Sequence, residues 1–90
     1  MKMFDVKIEI RPAGGVLDPQ GKTVFSTLEN LGFKGVKSVT AGKLIELSVE
    51  SGDKKSAEKE VREMCERFLA NPVIEVFSVE VQPRAEKGGG

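Results

Sequence analysis

The residues best suited to hold a ligand lie together in Gly14-Gly15-Val16-Leu17-Asp18-Pro19-Gln20-Gly21-Lys22. A glycine-rich stretch that leads into a helix can turn backbone N–H groups toward a phosphate, and Lys22 would add a positive charge beside it. The same residues also suit a capped helix start. Asp18 can accept a hydrogen bond from a free N–H of the first turn, and Pro19 fits the first helical position, where an N–H is not needed. Asp18 would then put a carboxylate where a phosphate must sit, and no Walker spacing surrounds Gly21-Lys22. The capped corner is favoured over the cradle.

Cys65 is the next group with chemical potential, and the chain contains no histidine to activate it. It falls on an apolar helical face with Met64 and Phe68, where a free cysteine behaves as a small core residue. An acylphosphatase-like loop would need an arginine early in the first helical region, and residues 19–31 contain none. An RNA-recognition sheet would need exposed aromatics on its central strands, whereas Phe4 belongs to an alternating apolar face. The charged run from Glu58 to Glu66 alternates in sign, as a solvated helix face does. No catalytic residue, cofactor-binding residue or metal ligand is therefore assigned to this chain.

Composition narrows the function classes further. Ninety residues make one domain, read as residues 1–82 with a glycine-rich tail over 83–90. Fourteen basic residues balance fourteen acidic ones, which argues against nucleic acid or a membrane surface as the partner. A single cysteine permits no internal disulfide. No stretch reads as a signal peptide or membrane span, so a cytoplasmic protein is expected. So short a chain buries only about 60–65% of its unfolded surface, and self-association would help it.

The elements that position these residues can be read in order. Phe4, Val6, Ile8 and Ile10 alternate with Asp5, Lys7 and Glu9, giving a half-buried strand that Arg11-Pro12 ends. Val24, Phe25, Leu28 and Leu31 form one stripe of a first helix, which Gly32 stops. Val36 to Thr40 reads as a short strand. Ala41-Gly42-Lys43 then reads as a tight reversal, with Gly42 supplying φ > 0, into a strand over Leu44 to Val49. Ser51-Gly52-Asp53 caps a second helix, about Asp53 to Ala70. Ala57, Val61, Met64, Cys65, Phe68 and Leu69 share its apolar face, and Asn71-Pro72 ends it.

The last strand, Val73 to Val81, is apolar in both registers, so part of it is expected to pack against another chain. The order is β-α-β-β-α-β, an α+β ferredoxin-like arrangement with a four-stranded antiparallel sheet and two helices on one face. Dimerisation is expected through sheet edges or the last strand. A small-ligand-binding regulatory dimer of the same βαββαβ type is the alternative on these residues alone.

Several stretches together resemble a known family. Gly15-Val16-Leu17-Asp18-Pro19-Gln20-Gly21-Lys22, Leu31-Gly32-Phe33, Gly42-Lys43-Leu44-Ile45-Glu46-Leu47, Met64-Cys65-Glu66 and Leu69-Ala70-Asn71-Pro72-Val73-Ile74-Glu75 occur in the order and spacing of PurS. PurS is the family of small subunits of phosphoribosylformylglycinamidine (FGAM) synthase, and the resemblance runs from about Val6 to Val81. It implies a PurS-like fold and a homodimer or tetramer that joins a large synthetase subunit to a glutaminase subunit and aids ammonia transfer. It also implies that ATP and magnesium act on the large subunit, with no cofactor bound here. The family's catalytic cysteine belongs to the glutaminase, so nothing of that role passes to Cys65. The corner residues Asp18, Pro19, Gln20 and Lys22, with Gly42, Lys43, Asn71 and Pro72, become the candidate structural and interface set.

Overall fold

In the computed structural model, which describes residues 1–84, alternation of apolar side chains dictates the central element. β1 (Lys2–Pro12) buries Phe4, Val6, Ile8 and Ile10 on one face and leaves its odd-numbered neighbours in solvent. It lies between β2 (Lys43–Ser51) and β3 (Glu75–Pro83), antiparallel to both, in the order β2-β1-β3. Ile8 stands opposite Ile45 on one side and Val79 on the other. β1 outruns β2 at Ile10 and continues against β3, so Pro12 takes the last pair, opposite Glu75. A proline is tolerated there because one side of the strand has no neighbour to receive an N–H.

α2 (Lys54–Met64) covers the apolar face of the sheet. Asp53 caps it, accepting a hydrogen bond from the Ser56 N–H at 2.8 Å. Ala57, Val61 and Cys65 recur every four residues and are fully buried against the strands. The helix then widens into a π-helical turn, Cys65–Leu69, closed by the Ala70 N–H on the Cys65 carbonyl at 3.0 Å. The additional residue in that turn shifts the phase of the apolar stripe. Ala70 is buried and Leu69 half-buried in the place expected for Phe68, which is 85% exposed. On the solvent side of this helix Glu63 and Arg67, four residues apart, pair at 3.1 Å.

The expected four-stranded sheet is corrected to three strands among the described residues. Val36–Thr40 is irregular and pairs with no strand, and the reversal at Ala41-Gly42-Lys43 is not a hairpin. Positive φ occurs at Gly15 and Gly32 and not at Gly42, so the backbone needed for a tight hairpin turn is missing there. Gly42 is instead required for closeness, because a Cβ on it would come 2.5 Å from the Ile10 carbonyl oxygen.

The placement of the first helix also differs from two helices sharing one face of the sheet. α1 (Pro19–Asn30) ends as expected, with Gly32 at φ 98°, its N–H on the Glu29 carbonyl and the Phe33 N–H on Leu28. Its side chains, however, contribute nothing to the buried core. Phe25 and Leu28 are half-buried, while Val24 and Leu31 stand 44% and 66% exposed. The two-sided apolar character of the last strand is resolved by its register. Phe77, Val79 and Val81 face the core, and Val76 faces away, half in solvent.

On the opposite, polar face of the sheet, Arg84 donates to the Asp5 carboxylate at 3.0 Å and to the Ser48 hydroxyl at 2.7 Å. Ser48 in turn donates to Asp5 at 3.0 Å. The Arg84 hydrogen bond, then that of Ser48, lowers the Asp5 carboxyl below the usual carboxylate range, and the Ser56 N–H does the same for Asp53. A depressed pKa contributes stability that is present above the ordinary value near ~3.9 and lost as pH falls through the folded value. Thermal unfolding followed from pH 6 to pH 3 should therefore show a falling midpoint, and Asp5→Asn should show a shallower fall. Equal slopes for the two proteins would remove Asp5 from the account. Pro83 belongs to β3 and the Arg84 N–H bonds the Met3 carbonyl, while the glycine-rich end lies outside the described residues.

Candidate functional site

Asp18 organises the corner at which the two halves of the chain meet. Its Oδ1 accepts from the Gly21 N–H at 3.0 Å, which is the expected cap. Its Oδ2 accepts from the Ala41 N–H at 3.0 Å, across twenty-three positions of sequence. One carboxylate thus fixes both the start of α1 and the approach to β2. Gly21 is the buried residue of this helix, and a Cβ on it would collide with the Asp18 side chain and with the Val39 carbonyl. Gly15 provides the left-handed turn before the helix at φ 83°.

Asn71 and Pro72 form a second corner nearby. The Asn71 side-chain oxygen accepts from the Val73 N–H at 3.1 Å, making a local turn. The Asn71 N–H donates to the Glu75 carboxylate at 2.8 Å, and Glu75 also faces the Lys43 ammonium at 3.5 Å. Glu75 therefore joins the end of α2 to the start of β2, and the Ala13 N–H bonds the Ile74 carbonyl at 2.8 Å beside it. Between the two corners lies an open cleft of about 340 Å³, lined by Asp18, Pro19, Gln20, Gly42 and Lys43 among others.

Five of the eight candidate residues thus meet around one cleft. Asn71 is linked to it through Glu75, Pro72 is exposed beside Asn71, and Lys22 faces a neighbouring apolar recess with Phe25 and Val39. The sequence reading leaves Glu75 and Ala41 out of the candidate site. Glu75 could have been found from its spacing four residues after Asn71, at a helix end whose N–H groups need acceptors. Nothing local in the sequence marks Ala41, because its partner is distant.

The arrangement holds surfaces rather than reacting groups. The N–H of Gly21 that a phosphate would use is occupied by Asp18, whose negative charge also opposes an anion there, so a nucleotide phosphate does not fit. Burial pushes the Cys65 thiol up, away from the thiolate that nucleophilic chemistry needs. Among the described residues no group of histidine, cysteine or carboxylate side chains is arranged to hold a metal ion. No helix among them is long and apolar enough to cross a membrane.

Comparison with known proteins gives a consistent result. The family model described as "PurS: Phosphoribosylformylglycinamidine (FGAM) synthase" matches residues 5–83. The phosphoribosylformylglycinamidine synthase subunit PurS of Archaeoglobus fulgidus is 44% identical over 75 residues, covering 83% of this chain and 91% of that protein. The Bacillus subtilis protein of the same name is 40% identical over 80 residues, covering 89% and 94% respectively. Among solved structures, Methanocaldococcus jannaschii PurS superposes with a TM-score of 0.82 at 34% identity, over 91% of this chain and 99% of that one. A chain of the PurLQS structure from Thermotoga maritima superposes with a TM-score of 0.83 at 34% identity, over 90% and 99%.

Proposed function

The chain belongs to the PurS family of FGAM synthase subunits, and from that premise we propose that it acts as a non-catalytic assembly subunit of this synthase. The complete reaction converts formylglycinamide ribonucleotide to formylglycinamidine ribonucleotide, with glutamine as nitrogen donor and ATP consumed to ADP and phosphate. In this reading the large subunit handles ATP, magnesium and the ribonucleotide, and the glutaminase subunit releases ammonia. This chain, as a homodimer in the cytoplasm, bridges the two and aids ammonia transfer between them. A small domain with a rigid polar corner suits that work. The observation that carries the reading is the corner itself, where Asp18 and Glu75 lock three chain segments together and leave Gln20 and Lys22 exposed.

Gln20 follows the cap and Pro19 at the start of α1, and none of the hydrogen bonds that hold the corner uses its side chain. Gln20→Ala should leave the unfolding midpoint within experimental scatter and lower the fraction of this chain that co-elutes with the large and glutaminase subunits. Normal co-elution of Gln20→Ala would remove that residue from the contact surface. Failure of the unaltered chain to bind either subunit would contradict the assembly role.

A further inference from the structure

We propose that residues 16–41 form a rigid arm that swings on two glycine-containing pivots, and that the cleft between the two corners closes when an assembly partner seats in it. The inference rests on the assembly reading above and deepens it by naming how the corner adapts to what it meets.

The arm is a unit by its own bonds. Asp18 ties the start of α1 to Ala41 and so closes the segment at its base. An apolar recess inside it is lined by Val16, Phe25 and Val39, and the Phe33 N–H on the Leu28 carbonyl fixes the turn at the far end of α1. Gly21 lets the two halves of the arm approach, since a Cβ there would come 2.8 Å from the Val39 carbonyl oxygen.

The rest of the chain does not hold this unit. The packed elements are the three strands with one another and α2 with its π-helical turn, β2 and β3, and no side chain from residues 16–41 enters the core. Among the described residues, no ion pair or side-chain hydrogen bond joins the arm to the body. The Val16 N–H on the Ala13 carbonyl, at 3.2 Å, is the backbone bond that crosses between them. The shape agrees with a projecting arm. The radius of gyration is 17.1 Å, where a compact chain of this length has about 12 Å.

Both links to the body suit a hinge, which needs a few loop residues able to absorb a change of φ and ψ. The outgoing link is the turn Ala13–Val16, with Gly15 at its third position and φ 83°, as a type II turn requires. The return link is Ala41-Gly42, where Gly42 lies against the Ile10 carbonyl without a side chain to wedge it. The cleft of about 340 Å³ lies across these pivots, with Leu17, Pro19 and Gln20 on the arm and Pro12, Ile74 and Glu75 on the body. Each wall is locked separately, one by Asp18 and the other by Glu75 with Asn71 and Lys43. Rotation therefore changes the width of the cleft without breaking a bond in either wall, and it carries Gln20 toward or away from Glu75. A partner that touches both walls favours one angle through that difference in contact.

Distances between spin labels on the full chain, read by double electron–electron resonance, test the closure. One labelled pair joins arm to body, Ser26→Cys with Lys59→Cys. A second pair, Lys59→Cys with Ser78→Cys, lies within the body, and Cys65 is buried and stays unlabelled. Labelled chain is refolded with excess unlabelled chain, so that each distance belongs to a single copy. In the chain alone, the arm–body distribution should be about twice as broad as the body pair's. Binding of the large and glutaminase subunits should narrow and shift it, with the body pair unchanged. Gly14→Pro fits the second position of the turn and should narrow the arm–body distribution in the chain alone. An arm–body distance as sharp as the body pair's, and unmoved in a complex that forms normally, overturns the closure and leaves the assembly reading intact. An arm–body distribution equally broad with Gly14→Pro counts against the outgoing pivot. Failure of the chain to co-elute with either subunit contradicts the assembly reading itself, and the closure with it.

Discussion

Replacing Ile8 with alanine is expected to lower the unfolding free energy by about 2–5 kcal/mol, the range for truncating a fully buried aliphatic side chain. Ile8 is 0% exposed, lies on the central strand and faces Ile45 and Val79 across both ladders. The cavity would open in the middle of a core made by α2 and three strands, to which α1 contributes no side chain. Domains of this size carry a total stability of about 5–15 kcal/mol, so the change takes a large share of it. Urea unfolding followed by circular dichroism reads the effect as a lower midpoint at unchanged slope. A loss below about 1 kcal/mol would mean that the core is not organised around β1.

Asp18→Ala carries the second large effect. It removes the α1 cap, for about 0.5–2 kcal/mol, and it leaves the partly buried Ala41 N–H without its acceptor, for about 1 kcal/mol more. The combined expectation is about 1.5–3 kcal/mol, about 1 kcal/mol more than the cap alone provides. Asp18→Asn separates the two contributions. One amide oxygen can replace one carboxylate acceptor but not both, so the asparagine variant should lose roughly half as much as the alanine variant. Because asparagine caps a helix as well as aspartate does, an asparagine variant with no loss would show that the cap alone matters, and equal losses for Ala and Asn would contradict the division into two separable bonds. Hydrogen exchange at Ala41 offers a local readout, since its amide should exchange faster in both variants.

How far the sequence revealed this molecule depends on how local each cause is. The β1 alternation, the Asp53 cap, the Gly32 stop and the Asp18-Pro19 helix start each depend on a few adjacent residues, and all of them are found in the structure. Val36–Thr40 has side chains that suit a strand, but pairing is a property of two segments and this one pairs with no strand among the described residues. Phe68 was assigned to the core by a regular helical period, and the π-helical turn altered that period just before it.

The candidate site divides in the same way. Asp18, Pro19, Gln20, Gly42 and Lys43 meet around one cleft, although it is held by the Ala41 N–H on Asp18 and the Lys43–Glu75 ion pair, long-range contacts that spacing does not encode, beside the local bond from the Asn71 N–H to Glu75. Gly42 was singled out for the wrong reason. It was expected to supply a left-handed turn, and it instead allows the close approach of β1. Its substitution would strain the fold under either view, for different physical causes.

The central claim is that this chain assembles the synthase without taking part in its chemistry. The most direct measurement is FGAM formation by the large and glutaminase subunits, with glutamine or with ammonium as nitrogen donor, in the presence and absence of this chain. Glutamine-dependent synthesis should require the chain, and the chain alone should turn over neither glutamine nor ATP. Full glutamine-dependent activity from the two larger subunits without it would contradict the account.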